Sequence, residues 1–137
     1  MSPLRQRMLE DMRIRNFSPH TQKQYIIYVA AFAKHFGKSP EQLGLEQIRS
    51  YQLFLLEQKR VCPSTLNLAV SALRFLYGVS LQQDWDIQMI PYAKKPKKLP
   101  VVLSQEEVLR LLQVVRNMKY RTVLMTTYAA GLRVSEV

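Results

Sequence analysis

The sequence predicts an all-α protein, and three observations lead there. Apolar residues recur at three- and four-residue spacing through most of the 137 residues. Proline repeatedly stands where a helix would begin, and no segment sustains the alternation of a half-buried strand. Ser18-Pro19, Ser39-Pro40 and Cys62-Pro63 each put Pro in a first turn, where the missing N–H has no intrahelical partner to lose. Ser39 with Gln42 and Ser104 with Glu107 have the spacing of a capping box. Gly37, Gly44 and Gly131 fall where helices should stop. These signals predict helices over 3–15, 19–36, 45–60, 63–80, 104–117 and 119–130. Val101-Val102-Leu103 is too short to build a sheet, and neither an internal repeat nor a low-complexity tract is present.

The helix from Pro19 sets Tyr25, Ile26, Val29, Phe32, Ala33 and Phe36 on one arc, the pattern of a buried stripe. Lys23 and Lys34 lie opposite, and Ser18 and Thr21 offer hydroxyls at an N-terminus suited to a phosphate, although taken alone these residues fit an ordinary N-cap with a solvated lysine face better. The helix from Pro63 has an apolar side of Thr65, Leu66, Ala69, Val70, Leu73, Leu76 and Tyr77. Its other side carries Ser64, Asn67, Ser71 and Arg74. Leu68 and Phe75, which flank this polar stripe, are expected to pack on a neighbouring helix. A merely solvated face usually holds Glu and Lys. Small polar groups with one Arg suit close approach to a phosphate backbone and base edges, although a solvent face reads almost the same way.

Composition narrows the function. At 47% hydrophobic and 22% charged residues, the chain is globular rather than a disordered basic tail. A single cysteine, Cys62, excludes an intrachain disulfide and a Cys-based zinc site, and His20 and His35 lack ligand spacing. No cofactor-binding Gly-rich loop and no nucleophilic triad can be assembled, so neither metal nor cofactor is expected. The charged N-terminus excludes a secretory signal, and the longest apolar run, Tyr25 to Ala33, is too short to cross a membrane. A soluble, cytoplasmic protein is expected. Its net charge is +10, of which residues 1–98 carry +8, with 15 Lys+Arg against 7 Asp+Glu. Nucleic acid is the default partner for that excess. Lys94, Lys95, Lys97 and Lys98 cluster within Pro91-Tyr-Ala-Lys-Lys-Pro-Lys-Lys-Leu-Pro100. Three prolines in ten residues favour an extended cationic linker between domains over a solvated surface loop.

The C-terminal segment sharpens the reading. Leu99-Pro-Val-Val-Leu-Ser-Gln-Glu-Glu-Val-Leu-Arg-Leu-Leu112, a helical stretch from Tyr120 to Tyr128, and Gly131-Leu-Arg133-Val-Ser-Glu136 resemble the opening of a tyrosine recombinase (phage-type integrase) catalytic domain. Upstream, Ser18, Thr21, Tyr25 and Phe32, then Thr65, Asn67, Ser71, Ala72, Leu73 and Arg74, resemble that family's SAM-like core-binding domain. The resemblance implies cleavage and rejoining of DNA through a 3′-phosphotyrosyl intermediate. Arg133 matches the first of two arginines that hold the scissile phosphate, and Glu136 would support the arginine. The family's His-x-x-Arg box and nucleophilic tyrosine have no counterpart here, since all seven tyrosines precede Arg133. Duplex DNA binding without strand cleavage is therefore the activity expected of this chain alone.

The organisation expected is a helical DNA-binding domain over 1–90, a basic linker over 91–100, and the first helices of a truncated catalytic domain over 101–137. The expected duplex contacts are Ser18, Thr21, Lys23, Lys34, Asn67, Ser71, Arg74, Lys94, Lys95, Lys97 and Lys98. Two other classes fit the residues: a helical protein-interaction module with a basic surface, and a non-functional mobile-element remnant. Two helices cannot bury Leu111, Leu112, Val115, Val123, Leu124, Met125 and Tyr128 by themselves. That tail is expected to dock loosely, self-associate, bind recombinase protomers or stay partly disordered. Hydrogen exchange should accordingly protect residues 1–90 well above residues 101–137; equal protection in both would contradict the division.

Overall fold

In a computed structural model, residues 2–96 and 99–136 are described, and the chain divides into two compact units, Met1–Pro96 and Lys97–Val137. The described residues contain helices and no strand, so the all-α expectation holds. The first unit is built from α1 (Pro3–Ile14), α2 (Pro19–Phe36), α3 (Leu45–Glu57) and α4 (Pro63–Phe75). The second holds α5 (Gln105–Val114) and α6 (Met118–Ala130). None of the described helices is long and apolar enough to cross a membrane.

The helix starts follow their sequence signals. Ser18 Oγ accepts the Thr21 N–H at 3.2 Å, with Pro19 in the first turn of α2. Ser104 and Glu107 close a reciprocal cap on α5: the Glu107 N–H reaches Ser104 Oγ at 3.3 Å, and the Ser104 N–H reaches Glu107 Oε2 at 2.7 Å. These hydrogen bonds, the backbone one foremost, hold the Glu107 carboxyl below its ordinary value. Gly37 and Gly131 end α2 and α6 at φ 62° and 63°, the left-handed region that an L side chain resists.

Several boundaries differ from expectation, each for a local reason. Gly44 starts α3 rather than stopping a helix: its N–H donates to Gln47 Oε1 at 2.8 Å. Ser39 and Gln42 form no capping box, because Pro40–Gln42 makes only a short 3₁₀ turn and the Ser39 side chain caps nothing. Helix α3 ends at Glu57 instead of residue 60, since Arg60 turns left-handed at φ 47° and the Val61 N–H bonds back to the Leu55 carbonyl at 3.1 Å. Helix α5 stops at Val114 because Asn117 caps α6, accepting the N–H groups of Lys119 and Tyr120. The helix expected over 63–80 is α-helical only to Phe75; Leu76–Ser80 widens into a π turn.

That π turn belongs to the core of the first unit. Leu76, Tyr77 and Ser80 are all buried within it. Helix α4 contributes Leu66, Ala69, Val70, Ala72, Leu73 and Phe75 to the interior, where they meet Ile26 and Phe32 of α2, Met8 and Met12 of α1, and Ile48, Tyr51 and Leu55 of α3. Phe32 sits edge-on to Phe36, Tyr51 and Tyr77. Tyr77 also packs on Trp85 with ring centroids 4.9 Å apart. Beyond the π turn the chain returns to the core once more at Ile90, which is 2% exposed.

The second unit is a helix pair whose interior, among the described residues, is limited to Val108 and Leu112. Leu111, Val123, Leu124, Met125 and Tyr128 stay exposed, as expected of two helices with few neighbours, whereas Leu112, against expectation, is covered within the pair.

The buried Tyr77 hydroxyl donates to the Pro40 carbonyl at 2.8 Å and ties the π turn to the segment before α3. Tyr77→Phe should lower stability by about 1–2 kcal/mol, read as a lower urea midpoint, because the carbonyl loses its partner. Burial also raises the Tyr77 phenol above its ordinary 10.0. Its stabilising contribution is complete below pH about 10 and is lost as pH rises further, so the phenylalanine variant should show a flatter alkaline limb.

Candidate nucleic-acid interface

The polar stripe of α4 is not a bare solvent face. Residues Pro91, Tyr92 and Ala93, expected to begin the linker, lie as an extended strap bonded to α3 and α4. Asn67 Nδ2 donates to the Ala93 carbonyl at 2.9 Å, and the Ala93 N–H donates to Asn67 Oδ1 at 2.7 Å. Gln52 Nε2 of α3 donates to the Pro91 carbonyl at 3.1 Å. Ser71 Oγ donates to the Asn67 carbonyl at 2.8 Å and lies 3.3 Å from the Tyr92 hydroxyl. The Arg74 guanidinium stacks over the Tyr92 ring, 4.7 Å from its centroid. The buried Ile90 immediately before the strap anchors its start. Residues 91–96 therefore belong to the first compact unit, which runs to Pro96.

This arrangement perturbs two phenols in opposite directions. The Ser71 hydrogen bond, with Arg74 adding its own hydrogen bond and charge, lowers the Tyr92 phenol against some burial. Burial raises the Tyr25 phenol, partly offset by a hydrogen bond to Ser71, with Tyr92 nearby raising it further. Tyr25, placed by the sequence in the apolar arc of α2, thus brings its hydroxyl to the α4 stripe. Its ring joins Phe17 and Phe75, and Arg15 lies 5.8 Å over the Phe75 ring.

Of the other expected contacts, Ser18 and Thr21 share a hydroxyl–hydroxyl hydrogen bond of 2.9 Å at the start of α2. Ser18 is therefore already employed as a cap. Lys23 and Lys34 are exposed on α2, and Lys94 and Lys95 are exposed directly after the strap. Lys97 and Lys98 lie outside the described residues. No cluster of three or more His, Cys, Asp or Glu capable of holding a metal occurs among the described residues.

In the second unit, Gly131 lets the chain turn sharply after α6, with the Leu132 N–H bonded to the Thr127 carbonyl at 3.1 Å. A short 3₁₀ turn, Val134–Glu136, then folds the acid back on the arginine. Glu136 Oε2 accepts the Arg133 N–H at 2.7 Å, and Oε1 accepts from Arg133 Nη1 at 3.2 Å. The Arg133 side chain is 83% exposed, so one carboxylate holds it at the surface by both its backbone and its guanidinium.

Comparison with known proteins places these features in a lineage. Residues 4–87 match the family described as phage integrase, N-terminal SAM-like domain. The chain belongs to the tyrosine recombinase family. Over 99% of its length it is 50% identical to the integrase/recombinase y4qK of Sinorhizobium fredii, and it spans 44% of that protein. It is 32% identical over 93% of its length to an integrase/recombinase of Escherichia coli, spanning 38% of it. A crystal structure of XerA recombinase superposes with a TM-score of 0.57 at 26% identity, covering 90% of this chain and 44% of that one. The chain thus spans under half the length of these relatives.

Sequence reasoning missed Tyr92, Gln52 and the placement of Tyr25. The strap has no periodicity to read, and Asn67 finds its partner 26 residues away. The proline–tyrosine start of the linker was the only hint of a rigid segment. For the arginine box, Glu136→Ala should raise the fast side-chain mobility of Arg133 in NMR relaxation while leaving the unfolding midpoint in place, since both groups are exposed.

Proposed function

We propose that this chain binds duplex DNA through its first unit, and that in proteins of the relatives' full length such binding serves site-specific strand cleavage and rejoining, the chemistry of DNA integration and recombination. The reading is supported above all by one observation: the strap delivers Lys94 and Lys95 directly after a half-buried anchor on the α4 face that holds Ser71 and Arg74. Lysines on a mobile tether would each lose freedom on meeting a phosphate; lysines that follow a fixed segment lose less. The net charge of +8 over residues 1–98 supplies the sequence-independent attraction. Lys23, Lys34, Ser18 and Thr21 on α2, and Lys97 and Lys98 further along, complete the proposed contact set. Asn67 is part of it through the strap. The proposed working compartment is the cytoplasm.

Arg133 is assigned, under the same reading, to the non-bridging oxygens of the scissile phosphate. A guanidinium fork suits that role, and Glu136 keeps it from collapsing onto other acceptors. One arginine without a nucleophile and a general acid does not cleave a strand, so residues 1–137 supply recognition and a single transition-state donor. The exposed faces of α5 and α6 are the proposed site of contact with other recombinase protomers.

Anisotropy titrations of a mixed-sequence duplex across a salt series test the binding. The logarithm of the association constant should fall linearly with the logarithm of salt concentration. Replacing Lys94, Lys95, Lys97 and Lys98 with Gln should weaken binding to all sequences alike and make that slope shallower by up to ~0.9 for each phosphate left without its lysine. An unchanged slope would remove these lysines from the interface, and no duplex binding even at low salt would point instead to an acidic protein partner.

A further inference from the structure

The strap changes what the α4 stripe has available. The Asn67 carboxamide spends a donor and its acceptor on the two sides of the Ala93 peptide, at 2.9 and 2.7 Å. An asparagine reads adenine with that same pair of atoms, so Asn67 cannot do so while the strap is docked. In exchange the strap brings in Tyr92, which the sequence left among the linker residues. Its hydroxyl lies 3.3 Å from Ser71 Oγ, and its ring lies under the Arg74 guanidinium. Tyr25 of α2 lies close enough for Ser71 and Tyr92 both to act on its phenol. Three hydroxyls from three separate segments and one guanidinium therefore meet on one patch, in a unit whose next residues are two exposed lysines.

We propose that Tyr25, Ser71, Arg74 and Tyr92 form a composite site for one DNA backbone phosphate, and that Asn67 is a positioning residue that assembles it by clamping the strap. The proposal rests on the duplex-binding reading above. The two phenol hydroxyls rotate to donate to a non-bridging oxygen without a fixed approach angle, and Ser71 joins them by redirecting the proton it otherwise gives to the Asn67 carbonyl. A guanidinium stacked on a tyrosine directs its five N–H donors sideways, enough to serve an anion alongside another partner. The Ala93 peptide is the part of the clamp that no DNA-contacting role for Asn67 requires. The clamp also sets the point from which Lys94 and Lys95 leave the fold, so its ordering is complete before DNA arrives.

The experiment separates clamping from direct contact. Ala93→Pro removes the N–H that Asn67 Oδ1 accepts and leaves α4 untouched, since residue 93 lies outside every helix. Duplex affinity is measured by anisotropy for the full chain and for Ala93→Pro, Asn67→Ala, the double variant, Tyr92→Phe and Ala93→Gly. Ala93→Pro and Asn67→Ala should each weaken binding about 3- to 10-fold, and the double variant should be no weaker than either, because both break one device. Their salt slopes should stay at the wild-type value, because every lysine is retained. Tyr92→Phe should weaken binding about 2- to 5-fold, and Ala93→Gly, which keeps the N–H, should bind as wild type. Additive weakening in the double variant would mean that Asn67 touches DNA itself. Binding that is unchanged or tighter in Ala93→Pro would mean that the strap covers the interface; either outcome overturns the proposal. A wild-type chain that fails to bind duplex DNA overturns the parent reading, and this one with it.

Discussion

The first unit depends on the burial of α4. Six of the thirteen residues of this helix are buried, chiefly against α2 and also against α3, while α1 packs on the π turn that follows it. A helix so enclosed has only one strip left for polar groups, and in α4 that strip is Ser64, Asn67, Ser71 and Arg74. Two of them bond a returning segment of the same chain, which carries backbone groups that need partners of their own. The Asn67–Ala93 pairing satisfies a half-buried peptide in both directions, and it is possible only because packing has fixed the helix that carries Asn67.

The path that brings the strap back is set by the π turn. Through the turn at Leu76–Ser80, Leu76, Tyr77 and Ser80 all face the interior and continue the buried side of α4. Tyr77 then secures the turn to Pro40, and Ile90 seats the chain just before the strap begins. Each step is a core contact, yet together they decide where the linker lysines start. In this unit, the proposed interface and the core depend on the same packing.

The second unit follows a different logic. Helices α5 and α6 are well capped, by Ser104 with Glu107 and by Asn117, but enclose little apolar surface. Their exposed leucine, valine and methionine side chains form an apolar surface larger than two helices can cover by themselves. Arg133 and Glu136 are the exception, because their geometry is local. A carboxylate three residues on satisfies both the backbone and the guanidinium without help from distant elements.

What the sequence determined by itself was whatever depends on neighbours along the chain. The helix starts at Pro3, Pro19 and Pro63, the cap at Ser104, the stops at Gly37 and Gly131, the buried arcs of α2 and α4, and the arginine box with its glutamate were all legible. Caps and amphipathic stripes act within four residues, and their residue types are distinctive. The tertiary structure decided what depends on residues far apart. It ended α3 early at a left-handed Arg60, turned the end of α4 into a π turn, and joined residues 91–93 to the first unit. It also turned Asn67 from an outward-facing polar residue into the holder of the linker. The same small polar side chain suits solvent, a base edge or a distant peptide equally well, and only packing brings the partner within hydrogen-bond distance.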